Sequence, residues 1–200
     1  MKVSREKAAA NRERIVEVAG KLLRQRGFDG IGVADLMKAA GLTHGGFYGH
    51  FKSKDDLAAQ ACRRALAHSS QKWARQVEIS TGDARAELIK RYLSEAHRDT
   101  AGSGCVLASL GADAGRQGRA IRQALTEGLG ALVDVLTKLA PGRSQVAKRK
   151  QALADMAQMV GAMVLARAVD DPALSKEILE AAIADRVTAA QDANRARVST

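Results

Sequence analysis
Apolar residues recur along this chain at helical spacing almost from end to end. Ile15, Val18, Ala19, Leu22 and Leu23 follow i, i+3, i+4, i+7, i+8, with charged residues on the opposite face, and Gly27 supplies a stop. Val33, Leu36, Met37 and Ala40 form a second, shorter stripe that ends at Gly41. A third short helix is expected within "THGGFYGHF" (Thr43–Phe51). Ser53 with Asp56 three residues on resembles a capping box and opens a fourth, expected to run to about Val77. After the break at "STGD" (Ser80–Asp83), helices are expected at 83–96, 105–114, 118–139, 144–167 and 172–190. Proline occurs only at Pro141 and Pro172, and no long β-branched alternation appears. The expected class is all-α, with about nine helices.

Aromatic residues divide the chain. Four of the six, Phe28, Phe47, Tyr48 and Phe51, lie within residues 28–51, whereas the remainder packs with Ala, Leu, Val and Met. A three-helix unit of about 50 residues has little interior, and bulky side chains fill it efficiently. We therefore expect a small N-terminal domain over 1–54, a larger helical body over 55–190, and a flexible tail over 191–200.

The third stripe poses a problem. Gly45, Gly46 and Gly49 each cost roughly 1 kcal/mol against alanine in a helix interior. At about 100° per residue, Phe47 and Phe51 mark the core face and the glycines fall roughly 120–180° away from it. Tyr48 and His50 flank them. The outward surface is thus bare backbone with polar rims, which suits close approach by another molecule. With the preceding helix and the "GLT" turn, this is a helix-turn-helix, whose second helix enters the major groove of DNA. Thr43 is the expected N-cap, and helix N-terminal amides attract phosphate.

Charge placement agrees. The net charge is +10, and residues 1–54 hold 11 Lys+Arg against 5 Asp+Glu. A quarter of the chain carries more than half of the excess, as expected for a polyanion-binding patch. The longest uncharged apolar run, Met156–Ala166, falls far short of the roughly 20 residues of a membrane span. The first residues have no apolar h-region, so no signal peptide is expected. Two cysteines do not make a disulfide scaffold, and a cytoplasmic protein is expected.

At this point "GIGVADLMKAAGLTHGGFYGHFKSKDDL" (Gly30–Leu57) resembles the TetR family of bacterial transcriptional regulators. The specific part is the glycine after the second helix, the pair Phe47-Tyr48, and His50-Phe51 followed by Lys54. The resemblance implies a homodimer of subunits with a DNA-binding domain and a helical ligand-binding and dimerisation domain. By residue match, Thr43, His44, Gly45 and Gly46 fall where the family meets base edges or nearby backbone, and Tyr48, His50 and Lys54 where it meets phosphates. Gly32 stands where Thr or Ser often caps the second helix, and His44 replaces a frequent lysine. The expected partners are double-stranded operator DNA, a small-molecule inducer of unknown identity and a second copy of the chain, with no membrane.

In the body, Met156, Ala157, Val160, Gly161 and Val164 form one stripe and Ile178, Leu179, Ala182 and Ile183 another, a candidate four-helix dimer interface. Trp73, Tyr92, Cys105, Leu107, Met156, Met159 and Met163 are candidate pocket residues, although each also suits ordinary core packing. Cys105 follows "GSG" and is expected to open a helix, where a thiol pKa falls, more so with His97 or Arg98 near. A thiol-based sensor is thus an alternative, and Cys62 is expected in the core. No Walker loop, GxSxG elbow or metal-ligand spacing occurs, so neither catalysis nor a cofactor is implied. A helical-bundle enzyme and a membrane-surface module are remote alternatives.

Overall fold
The computed structural model describes residues 5–184. The expected tail at 191–200, and the end of the last helix beyond 184, lie outside the described residues. Within them the chain is helical: α1 (Arg5–Arg26), α2 (Val33–Ala39), a 3-10 helix (His44–Gly49), α3 (Lys54–Ile79), α4 (Ala84–Tyr92), α5 (Glu95–Asp99), a 3-10 turn (Ala101–Ser103), α6 (Val106–Ala114), α7 (Arg119–Leu139) and α8 (Gln145–Ala168). A final helix, α9, begins at 172 and continues to 184. None of the described helices is long and apolar enough to cross a membrane.

The boundaries follow from identifiable caps. Gly27 and Gly41 adopt φ of +78° and +70°, a region that L side chains avoid. At Gly41 the amide donates to the Lys38 carbonyl and the Leu42 amide to the Met37 carbonyl, both at 2.9 Å. This is the Schellman arrangement, which ends α2 and turns the chain. Ser53 Oγ accepts from the Asp56 amide at 3.1 Å, and the Asp56 carboxylate accepts from the Lys52 amide at 3.1 Å. The capping box therefore forms with aspartate, one residue out of register on the return bond. Asp83 and Ser144 cap α4 and α8 through side-chain bonds to Ala86 and Ala147.

Two expectations are corrected. The single helix over 83–96 is broken after Tyr92, because Ser94 takes an extended conformation and caps a separate short helix, accepting from the His97 amide. Ser94 Oγ also donates to the Arg91 carbonyl at 2.9 Å, so one hydroxyl serves both ends of the break. The third helix is 3-10 rather than α. Its amides bond three residues back, Gly46 to the Thr43 carbonyl and His50 to the Phe47 carbonyl. Three glycines remove the propensity that would sustain an α-helix over so short a stretch.

The chain divides into two compact units, one of residues up to His68 with Ala101–Leu129, the other of Ser69–Thr100 with Gly130 onward. In the first, α1 contributes Ile15, Val16, Ala19 and Leu23 to a core completed by Phe28, Leu36, Met37, Phe47, Phe51, Leu57 and Leu66. Three of the four clustered aromatics thus fill the small interior, as expected, while Tyr48 stays outside. α7 approaches α3 so closely that a Cβ on Gly128 would lie 2.4 Å from the Leu66 side chain. Arg24 of α1 donates twice to the Gly102 carbonyl, at 2.9 and 2.5 Å, tying the 3-10 turn to that helix.

The second unit packs Leu88, Ile89, Tyr92 and Leu93 of α4 and its end with Leu132, Val133 and Leu136 of α7 and Met156, Met159 and Met163 of α8. Inside it Arg85 and Asp155 form a buried pair, Nε to Oδ2 at 2.9 Å and Nη2 to Oδ1 at 2.8 Å. Gln151 adds a third donor to the same carboxylate at 2.8 Å.

Candidate nucleic-acid interface
The Schellman turn at Gly41 delivers the chain from α2 into the 3-10 helix, and Phe47 anchors that helix. Phe47 is fully buried and lies 5.6 Å, centroid to centroid, from buried Phe51. Three residues per turn then set the outer surface. Gly46 and Gly49 share one edge, and Gly45 and Tyr48 share the next. All four are exposed. A Cβ at Gly45 or Gly49 would meet nothing within 4 Å, and one at Gly46 would touch only Met37 Cε at 3.7 Å and Thr43 Oγ1 at 4.0 Å. The outward placement of the glycines survives the change of helix type, because both geometries turn them away from Phe47.

Polar groups border this bare surface. Tyr48 is 70% exposed, and its ring meets Phe47 edge-on at 5.2 Å. His44, also exposed, stands edge-on to Tyr48 at 6.5 Å. His50 and Lys54 are half-buried, Lys54 as the first residue of α3. Thr43 holds the N-cap position in an extended conformation but makes no side-chain cap bond. Its hydroxyl therefore does not perform the expected capping. Gly32 occupies the N-cap of α2, also with no side-chain bond.

One neighbour of this surface went unmarked in the sequence. The Arg12 guanidinium lies over the Phe51 ring, 5.2 Å from its centroid, and donates to Gln60 Oε1. Gln60 in turn donates to Asp56 Oδ1 at 2.8 Å. That bond, the Lys52 amide and the charges of Lys52 and Arg12 hold the Asp56 carboxyl below its ordinary range.

Residues 15–61 match the family model described as bacterial regulatory proteins, tetR family. The HTH-type transcriptional repressor NemR of Escherichia coli (strain K12) is 26% identical over 130 residues, 64% of this chain and 65% of that protein. The match thus spans slightly less than two thirds of that relative. The HTH-type transcriptional regulator AcrR of Shigella flexneri is 37% identical over 57 residues, 28% of this chain and 26% of that one. The crystal structure of the reduced form of E. coli NemR superposes with a TM-score of 0.73 at 25% identity, covering 88% of this chain and 94% of its own. Over residues 15–61 in sequence, and in overall fold, the chain is similar to TetR-family regulators.

A TetR-family regulator from Agrobacterium tumefaciens shares the fold, with a TM-score of 0.74 over 89% of this chain and 98% of its own, at 19% identity. In this chain the other expected site residues distribute as follows. Trp73, Tyr92, Met156, Met159 and Met163 lie in the second unit, and Cys105 and Leu107 in the first. The three methionines are buried. Trp73 and Tyr92 meet edge-on at 5.9 Å, and Tyr92 and His97 at 4.6 Å. His97 Nδ1 lies 2.6 Å from the Tyr92 carbonyl, and burial pushes the imidazole pKa down, with Arg167 and Lys72 adding to the effect. His97 is thus held neutral, its Nδ1–H donating to that carbonyl.

On α8, Val164 is exposed and Val160 and Gly161 are half-buried; on α9, Ile178 and Ile183 are half-buried. Leu179 and Ala182 are buried within the chain itself, because they form the inward face of α9. Cys105 is the N-cap residue of α6, 7% exposed, and Cys62 is buried in α3. Burial pushes the Cys62 thiol up to about 12, against the nearby charges of Arg24 and Arg63.

Proposed function
We propose that this chain is a homodimeric, sequence-specific DNA-binding transcriptional regulator, a repressor released from its operator by a small-molecule inducer. The observation that carries this reading is the outward glycine edge of the 3-10 helix, open at Gly45 and Gly49 and bordered by Tyr48, His44 and Lys54. Bare backbone lets the element press into the major groove, and its rims reach the phosphates of both strands. In this reading Thr43, His44, Gly45 and Gly46 face base edges or nearby backbone, Tyr48, His50 and Lys54 meet phosphates, and residues 1–54 act as the reader for a body over 55–190. The relatives named as repressor and regulator support the assignment.

The reading is tested by selecting bound duplexes from a random pool and then measuring affinity against salt. Lys54→Ala is expected to weaken binding to every sequence about equally and to flatten the slope of log K against log salt by about one unit. Tyr48→Phe is expected to weaken all sequences equally with the slope retained. A loss confined to one operator base would contradict the phosphate assignment.

For the dimer, support comes from apolar side chains that the subunit leaves outside. Leu153, Val164 and Leu165 of α8 and Leu174 of α9 are exposed, and a Cβ at Gly161 would meet nothing within 4 Å. Paired helices from two subunits would cover them. For the inducer, support comes from the Trp73, Tyr92 and His97 rings, a partly exposed aromatic cluster whose imidazole is neutral. An inducer acts only by its difference in affinity for two conformations.

A second reading is thiol sensing through Cys105, the N-cap residue of α6. Arg24 is tied to the Gly102 carbonyl, three residues before Cys105. Cys105→Ser is then expected to abolish loss of DNA binding on treatment with N-ethylmaleimide, whereas Cys62→Ser leaves it intact. An unchanged response in Cys105→Ser removes this reading.

A further inference from the structure
A cleft of about 370 Å³ runs between α1 and α3, lined by Arg12, Glu13, Val16, Gln60, Arg63 and Arg64. Its three guanidiniums are not equivalent. Arg64 pairs with Glu13, and Arg63 pairs with Glu127 at 3.1 Å. Among the described residues no carboxylate lies within ion-pairing distance of Arg12. Its partners are the neutral Gln60 carbonyl and the face of Phe51. Asp56, on which the Arg12 charge acts, is already engaged by the Lys52 amide and by the Gln60 amide group. Those bonds turn the Gln60 oxygen toward Arg12. The guanidinium is thereby oriented without being neutralised.

Its position matters as much as its charge. Phe51 is the residue after His50, and the His50 ring lies 6.2 Å from the Phe51 ring. Arg12 and His50 therefore flank the same buried aromatic, with Lys52 close enough to act on Asp56 together with Arg12. A planar guanidinium stacked on an aromatic loses little freedom when it binds an oxyanion, and its fork matches phosphate geometry.

We propose that Arg12 is an additional phosphate-binding residue, a cation pre-set by Phe51 and Gln60 beside the 3-10 helix that clamps one backbone phosphate of the bound duplex. This rests on the DNA-binding reading above. It extends the interface from the helix-turn-helix to α1, which the sequence motif leaves out. The contact carries no base information, so it raises affinity for all duplexes alike.

The test compares Arg12→Gln, Arg12→Lys and Gly45→Glu with the unaltered chain on operator and random duplexes over a range of salt. Arg12→Gln is expected to lower affinity roughly tenfold on both duplexes and to flatten the salt slope by about one unit. Arg12→Lys is expected to retain the slope. A normal slope in Arg12→Gln, with Gly45→Glu still blocking binding, overturns the phosphate contact and leaves Arg12 as a tie between α1 and α3. Normal binding by both variants overturns the DNA-binding reading itself. A readout on the unaltered chain is independent of how the variants fold: duplex DNA is expected to protect Arg12 from phenylglyoxal, and equal modification with and without DNA overturns the proposal.

Discussion

Gly45→Glu is expected to abolish operator binding while the chain stays folded. The backbone at Gly45 has no positive φ, and a Cβ there enters open space, so the substitution meets no steric obstacle within the subunit. The same holds at Gly46, where the Cβ makes only ordinary contact with Met37 Cε. Outside the subunit the effect is large. A carboxylate on the groove-facing edge holds the helix away from the duplex and sets a negative charge against phosphates. The specific complex should lose its whole advantage over random DNA, at least about a thousandfold. Fluorescence anisotropy with labelled operator measures the loss, and circular dichroism with sedimentation checks that fold and assembly are kept. Near-normal affinity in a folded Gly45→Glu protein would mean that this edge does not face DNA.

Asp155→Leu is expected to be the most destabilising single change in the second unit. Asp155 is fully buried and Arg85 is 5% exposed, and the pair joins α4 to α8 with both carboxylate oxygens engaged. Removing one partner leaves a guanidinium charge in the interior, which costs roughly 3–5 kcal/mol. For a chain of this size that corresponds to a fall in Tm on the order of 10 °C. Replacing both, Arg85→Met with Asp155→Leu, is expected to recover most of the loss, because two apolar side chains of similar volume need no partner. Denaturant midpoints of the two single variants and the double variant measure the coupling between them. A single variant as stable as the unaltered chain would show that the pair contributes nothing.

Much of the helical framework was legible in the chain. The stripe Ile15–Leu23, the stops at Gly27 and Gly41, the cap at Ser53 and the helix starts near 83 and 144 all act through neighbours three or four residues away. The outward glycine edge was legible for the same reason, since Phe47 marks its inner side under either helical period. The break at Ser94 was not. A serine in an extended conformation and a serine within a helix look alike until packing selects one. The 3-10 form was missed because a six-residue segment with three glycines has no strong preference of its own.

What the sequence by itself determined is the all-α class, the helix-turn-helix and which side of its second element is bare. These depend on local backbone preference and on periodicity, which short-range contacts enforce. Only the tertiary structure decided that Arg12 sits over Phe51, that Arg85 meets Asp155 seventy residues away, and that Leu179 and Ala182 turn inward. Such pairings depend on the angles and registers at which helices cross. Those are set by side-chain volumes summed over the whole core, a quantity no stretch of chain carries alone.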